Sequence, residues 1–147
     1  MATPVPAART TARTTARPVR RGALVAHLVV SALLVVLVLF QATIAGRHLY
    51  DGADIALHGY VGNASFLLGL VGTALALFGR LPTWLLGVTA LTALLMFPQT
   101  GLGYLGRDEP IAATWHVPLG VLIFGCAMWQ CAGSAQLVLG QRRLAPS

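Results

Sequence analysis

The sequence predicts an all-α membrane protein: an up-down-up-down four-helix transmembrane bundle, built from two tandem two-helix repeats, with both termini in the cytoplasm. Three observations predict it. The 147-residue chain is 56% hydrophobic and only 10% charged, and its mean hydropathy is +0.76. It holds four apolar runs of membrane-crossing length. It also repeats itself at an offset of 58 residues.

The elements follow in order. Residues 1–22 form a basic tail in which Ala-Arg-Thr-Thr recurs among Pro4, Pro6 and Pro18. With few apolar and no bulky side chains it offers no core, so disorder is expected. Its arginines suit anionic lipid headgroups better than nucleic acid. Residues 23–140 form the membrane domain, with repeat one over about 24–80 and repeat two over about 82–138. A short cytoplasmic tail, 141–147, ends the chain. The four apolar runs are Leu24–Ala45, Ala53–Phe78, Leu81–Phe97 and Ile111–Leu139. A helix needs about 20 apolar residues to cross about 30 Å of hydrocarbon. The third run is near the lower limit and is expected to be closed by Pro98. The first is longer than the apolar core of a signal peptide, about 7–15 residues, and reads as a retained anchor.

Charge sets the expected orientation. Five arginines (Arg9, Arg13, Arg17, Arg20, Arg21) precede the first run, Arg80 separates the second from the third, and Arg142 and Arg143 follow the fourth. The other two loops hold Arg47 and Arg107 together with all four acids, Asp51, Asp54, Asp108 and Glu109. The positive-inside rule puts both termini inside and these two loops outside. The absence of lysine suggests a high-GC bacterial genome, hence a bacterial plasma membrane. Cys126 and Cys131 lie within the fourth run with no metal-site spacing, and read as small apolar packing residues.

Comparing residues 28–80 with 86–138 without gaps gives ten identities. Those of Gln41/Gln99, His58/His116, Gly62/Gly120 and Phe66/Phe124 carry the most weight in so apolar a chain. Ser31-Ala32-Leu33 also faces Thr89-Ala90-Leu91. Each repeat has two spans, so the copies enter the membrane in the same sense. His58 and His116 each begin a His-x-x-x-Gly pattern, about five residues inside a span, or about 8 Å below its outer boundary. Below His58 runs a stripe of small residues, Gly62, Ser65, Gly69 and Gly72. Below His116 lie Gly120, Ala127 and Cys131, interrupted by Ile123 and Phe124. Small residues permit close helix packing, and equally leave room for a flat macrocycle.

An ionisable ring inside a membrane is costly and is a functional candidate by default. Two at matching depth suggest joint ligation of one metal, most readily the iron of a haem b. Iron in such sites is tuned by its axial ligands and their outer-shell bonds. A lone boundary histidine has a plainer alternative, a hydrogen bond across helices. Arg47 and Arg107 are candidates to hold haem propionates; pairing with the nearby acids explains them equally well. Gln41 and Gln99 suit interhelical bonds, orientation of a ligating histidine, or quinone contact. His27 has no histidine partner at its end, so a second haem there is not expected. His48 reads as a surface residue or an alternative ligand.

The order Gln41…Gly46…His58-x-x-x-Gly62, then Gln99…Gly103…His116-x-x-x-Gly120, resembles one four-helix half of haem A synthase. It is similar in plan to other bis-histidine membrane cytochromes b, and to a family of small bacterial four-helix membrane proteins. The resemblance implies His58 and His116 as haem ligands. It does not imply oxidation of a haem methyl group, because the outer loops lack a cysteine pair and the first two spans lack a glutamate. No phosphate-cradling loop, nucleophile-elbow serine or intramembrane acid pair is present. The functional expectation is a haem-binding electron-transfer or haem-handling protein, with the lipid bilayer, and a quinone or an outward-facing redox partner, as its partners. The alternative is a cofactor-free accessory or assembly protein. An ion-coupled carrier is disfavoured, since no acid lies at the midplane.

Overall fold

A computed structural model describes residues 19–143 as four helices: α1 (Arg21–Asp51), α2 (Ala56–Phe78), α3 (Thr83–Leu105) and α4 (Pro110–Arg143). All four are long and apolar enough to cross a membrane. Even the shorter two, of 23 residues, rise about 35 Å. Most of the expected N-terminal tail, residues 1–18, and the last four residues of the C-terminal one lie outside the described residues. Arg20 and Arg21, assigned to the tail, belong instead to the helix start. The Arg20 N–H donates to the Gly79 carbonyl (3.1 Å), tying the beginning of α1 to the end of α2.

Local chemistry explains the turns. Gly52 ends α1 at φ 67°, a left-handed position that glycine occupies without a Cβ penalty. Arg80 takes a similar conformation, φ 56°, between α2 and α3. Pro82 stands at the N-cap of α3, where its missing N–H costs nothing.

Pro98 does not close the third helix, as the sequence suggested. It sits inside α3, which runs on to Leu105, and Pro118 sits inside α4 in the same way. Each proline deprives one carbonyl, that of Leu94 or Thr114, of its helical donor. Continuation of packing on both sides outweighs that local loss.

Each helix packs on two neighbours, in the ring α1–α2–α3–α4 and back to α1, while the diagonal pairs α1/α3 and α2/α4 keep their Cα atoms beyond 8 Å. Small residues set the close approaches. A Cβ on Gly69 would stand 3.2 Å from the Met96 sulfur and 3.5 Å from Ala93, and one on Gly72 would stand 3.4 Å from Thr89. Two of the four residues in the stripe below His58, Gly69 and Gly72, are thus used for packing α2 on α3. Gly133 receives the Trp84 indole in the same manner on α4.

The interior is layered. One apolar cluster joins Leu24, Ala76, Leu81, Leu85 and Val138; another joins Leu34, Met96, Ile123 and Ala127. A polar layer lies between them in sequence order along the helices: His27, Ser31, Thr89, Thr92, Gln130 and Ser134, all buried. Leu33, Val36, Leu67, Leu94, Phe97, Val121 and other large apolar side chains face outward, as helices in lipid require.

Candidate functional site

The diagonal gap between α2 and α4 is filled at one end by two imidazoles. His58, in the first turn of α2, and His116, in the second turn of α4, have ring centroids 5.9 Å apart, with their planes tilted by 56°. Both are partly buried and line a cavity of about 500 Å³, within the range of about 300–1,000 Å³ usual for ligand sites. The walls are mainly apolar, with Val38, Leu39, Ile123 and Phe124 among them.

The two halves make the same bond. His58 Nδ1 donates to the backbone carbonyl of Gln41 (3.2 Å), and His116 Nδ1 donates to that of Gln99 (3.0 Å). Both pairs are separated by 17 residues. A carbonyl only accepts, so each Nδ1 carries the proton and each Nε2 presents a lone pair. The glycine of each His-x-x-x-Gly pattern has a matching use. A Cβ on Gly62 would stand 2.8 Å from Gln41 Nε2, and one on Gly120 would stand 3.1 Å from Gln99 Nε2. The glycines therefore seat the glutamine amides from the preceding helix. Of the two uses the small residues left open, close packing is the one seen, and both glycines also line the cavity.

Both glutamine Oε1 atoms are buried without a partner. In a membrane interior such an acceptor is costly, because no water is at hand to satisfy it. The halves differ in one respect: the Gln99 amide donates to His116 Nε2 (3.2 Å), while His58 Nε2 has no such partner among the described residues.

The arginines separate. Arg107 lines the cavity and lies over the Tyr104 ring, 5.3 Å from its centroid. Arg47 lies outside the cavity and pairs with Asp51 at 3.5 Å, both side chains largely exposed. The acid-pairing alternative thus holds for Arg47. Its side chain runs along the surface of α1, one helical turn from Asp51, apart from the residues that line the cavity. His48 lies at the surface, where its Nδ1–H donates to the Ala53 carbonyl (2.7 Å).

Sequence reading missed two features. Tyr104 lines the cavity and receives a hydrogen bond from Asn63 (2.9 Å); neither residue has a counterpart at the 58-residue offset. The second is the setting of His27. It is fully buried, with Ser134 Oγ at 2.8 Å and Thr89 Oγ1 at 3.0 Å on its two ring nitrogens, and Ser31 Oγ at 3.4 Å. His27 lacks a histidine partner, as expected, yet it is the centre of the polar layer. The Ser31/Thr89 match across the repeat was the available signal. Among the described residues no group of three or more His, Cys, Asp or Glu side chains converges. No family description, curated protein or solved structure matches the chain.

Proposed function

We propose that this is a haem-b-binding integral membrane protein of a bacterial plasma membrane, serving electron transfer or haem handling near the outer surface. The observation that carries the reading is the His58–His116 pair. With centroids 5.9 Å apart, the His58 and His116 rings are close enough that both would hold one metal at metal–nitrogen distances of about 2 Å. The donor chemistry fits as well. A ligating histidine normally gives its other N–H to a carbonyl or carboxylate, which fixes the tautomer, and both rings do so here. Apolar walls suit a porphyrin, and Arg107 suits one propionate. Bound there, the group would supply one-electron chemistry. The protein's own residues would hold the rings, exclude water and anchor the acid edge. A quinone or an outward-facing partner is the corresponding source or sink of electrons.

The same reading takes the chain as a duplicated two-helix hairpin in up-down-up-down order. The matched Gln–His–Gly geometry of the two halves supports it. So does the Arg20–Gly79 bond, which brings the start of α1 to the end of α2. The positive-inside charge pattern supports cytoplasmic termini.

The test is an absorbance spectrum of the detergent-extracted protein from haem-replete cells, oxidised and reduced. A reducible Soret band is expected, and a His58→Ala/His116→Ala double variant should lack it. A colourless wild type refutes the reading. One observation favours a second reading, a cofactor-free accessory protein: the Gln99 amide already occupies the His116 lone pair. Under that reading both histidines can be replaced with no loss of partner binding.

A further inference from the structure

We infer that the two histidines are unequal, and that Gln99 is a positioning residue that latches His116 while His58 stands open. This rests on the haem reading above and assigns a regulating residue to that site. Gln99 holds both ring nitrogens of His116: its carbonyl takes the Nδ1 proton at 3.0 Å, and its side-chain amide donates to Nε2 at 3.2 Å. Gln41 holds His58 only through its carbonyl, at 3.2 Å.

The sequence contains a cause for the difference. A Cβ on Gly103 would stand 2.9 Å from His116 Cε1, so the ring rests directly on the α3 backbone, within reach of Gln99. The residue at the same offset in the first half is Ala45, which carries the methyl that Gly103 lacks and also lines the cavity. A break in an otherwise matched pair is therefore built into one position, glycine against alanine.

Three consequences follow for the site. The lone pair of His58 is available to a metal as the protein stands. That of His116 becomes available only when the Gln99 side chain turns, which breaks one neutral hydrogen bond. The Nδ1 bond is unaffected by that turn, because it runs to the backbone. Gln99 thus sets how much of the bound haem is held by both histidines and how much by His58 alone, leaving a position open to a small exogenous ligand.

The matched glutamines give an internal control. Gln99→Leu keeps the size and the backbone carbonyl and removes the donor; Gln41→Leu does the same where no Nε2 bond exists. Titration with ferric haem should show about five-fold tighter binding for Gln99→Leu. That equals about 1 kcal/mol at 1.4 kcal/mol per ten-fold, the worth of one neutral hydrogen bond. The low-spin fraction of bound haem should rise with it, and Gln41→Leu should stay within two-fold of wild type. Gly103→Ala, which pushes the ring off the latch by a different route, should raise the low-spin fraction too. His58→Ala should cost more affinity than His116→Ala.

Equal effects of the two leucine variants, or equal losses from the two histidine variants, overturn the inference while leaving haem binding intact. If the wild type binds no haem, the functional reading fails by itself. The latch is then read in the apoprotein by ¹⁵N chemical shifts. The His116 Nε2 resonance should move in Gln99→Leu, and the His58 resonance should stay in Gln41→Leu. An unmoved His116 signal refutes the latch.

Discussion

His27→Ala should be the most destabilising histidine substitution in the chain, although His27 lines no cavity. The ring is fully buried and has oxygens at 2.8 and 3.0 Å on its two nitrogens. Each such bond contributes about 1 kcal/mol net. Removing the ring also leaves a closed void between two apolar clusters, at roughly 1–2 kcal/mol. The orphaned hydroxyls soften the loss only in part. One hydroxyl accepts from the ring N–H and the other gives its single proton to the bare ring nitrogen; without the ring both can donate to the Leu85 and Gln130 carbonyls, at 2.8 and 2.7 Å, so neither is stranded. The sum is about 3–4 kcal/mol, or about 10–15 °C in Tm for a chain of this size. His58→Ala should differ sharply. It removes one bond of about 1 kcal/mol and enlarges a cavity that already exists, so about 4 °C is expected. The assay is thermal unfolding of the detergent-solubilised apoprotein. If His27→Ala unfolds within 2 °C of wild type, or His58→Ala falls as far, the assignment of a structural role to one and a site role to the other is wrong.

Three further outcomes are expected. Arg107→Ala should weaken ferric haem binding about ten-fold, whereas Arg47→Ala should leave it within two-fold, since the exposed Arg47–Asp51 pair contributes at most about 1 kcal/mol and stands outside the cavity; parallel haem titrations check this. Gly133→Ala should cost about 1–3 kcal/mol by pressing a methyl into the Trp84 ring, while Gly87→Ala, with nothing within 4 Å of the added methyl, should be neutral or stabilise by up to about 1 kcal/mol; denaturation in mixed micelles separates them. Gly62→Ala should be tolerated, because the atom in its way is the free end of the Gln41 side chain, and the loss should be below about 1 kcal/mol, with the His58 Nδ1 bond retained by ¹⁵N shift.

The helices were legible because hydropathy and length alone decide whether a segment suits a bilayer. Their ends were less so. Pro98 seemed a terminus, since a missing N–H is a local signal, but whether a helix continues past it depends on what packs on the next turn. The approach of His58 to His116, ring centroids 5.9 Å apart, was legible from their matching positions near the starts of the second and fourth apolar runs. What lay over Gly62 and Gly120 was not. A small residue records only that something fits there, and the occupant, a glutamine amide from the preceding helix, is fixed by the helix crossing. The placements of Arg47 and Arg107 diverged for the same reason: both follow a glycine, but Arg47 stands on the last turns of α1 and Arg107 in the turn between α3 and α4, where it lines the cavity.

The two ends of the bundle answer the problem of buried polarity in opposite ways. At the His27 end, Ser31, Thr89 and Ser134 surround an imidazole and apolar clusters flank the layer; Gln130 Oε1 and, further along α4, Gln141 Oε1 stay without partners. At the His58–His116 end the helices enclose a cavity of about 500 Å³, and the Gln41 and Gln99 Oε1 atoms beside it stay buried without partners. In an apolar medium each unmet group costs at least about 1 kcal/mol. Local violations of packing and polar satisfaction concentrate at functional sites. The end with the cavity is therefore where a bound group would return missing interactions, and the closely packed His27 end holds the four helices together without it.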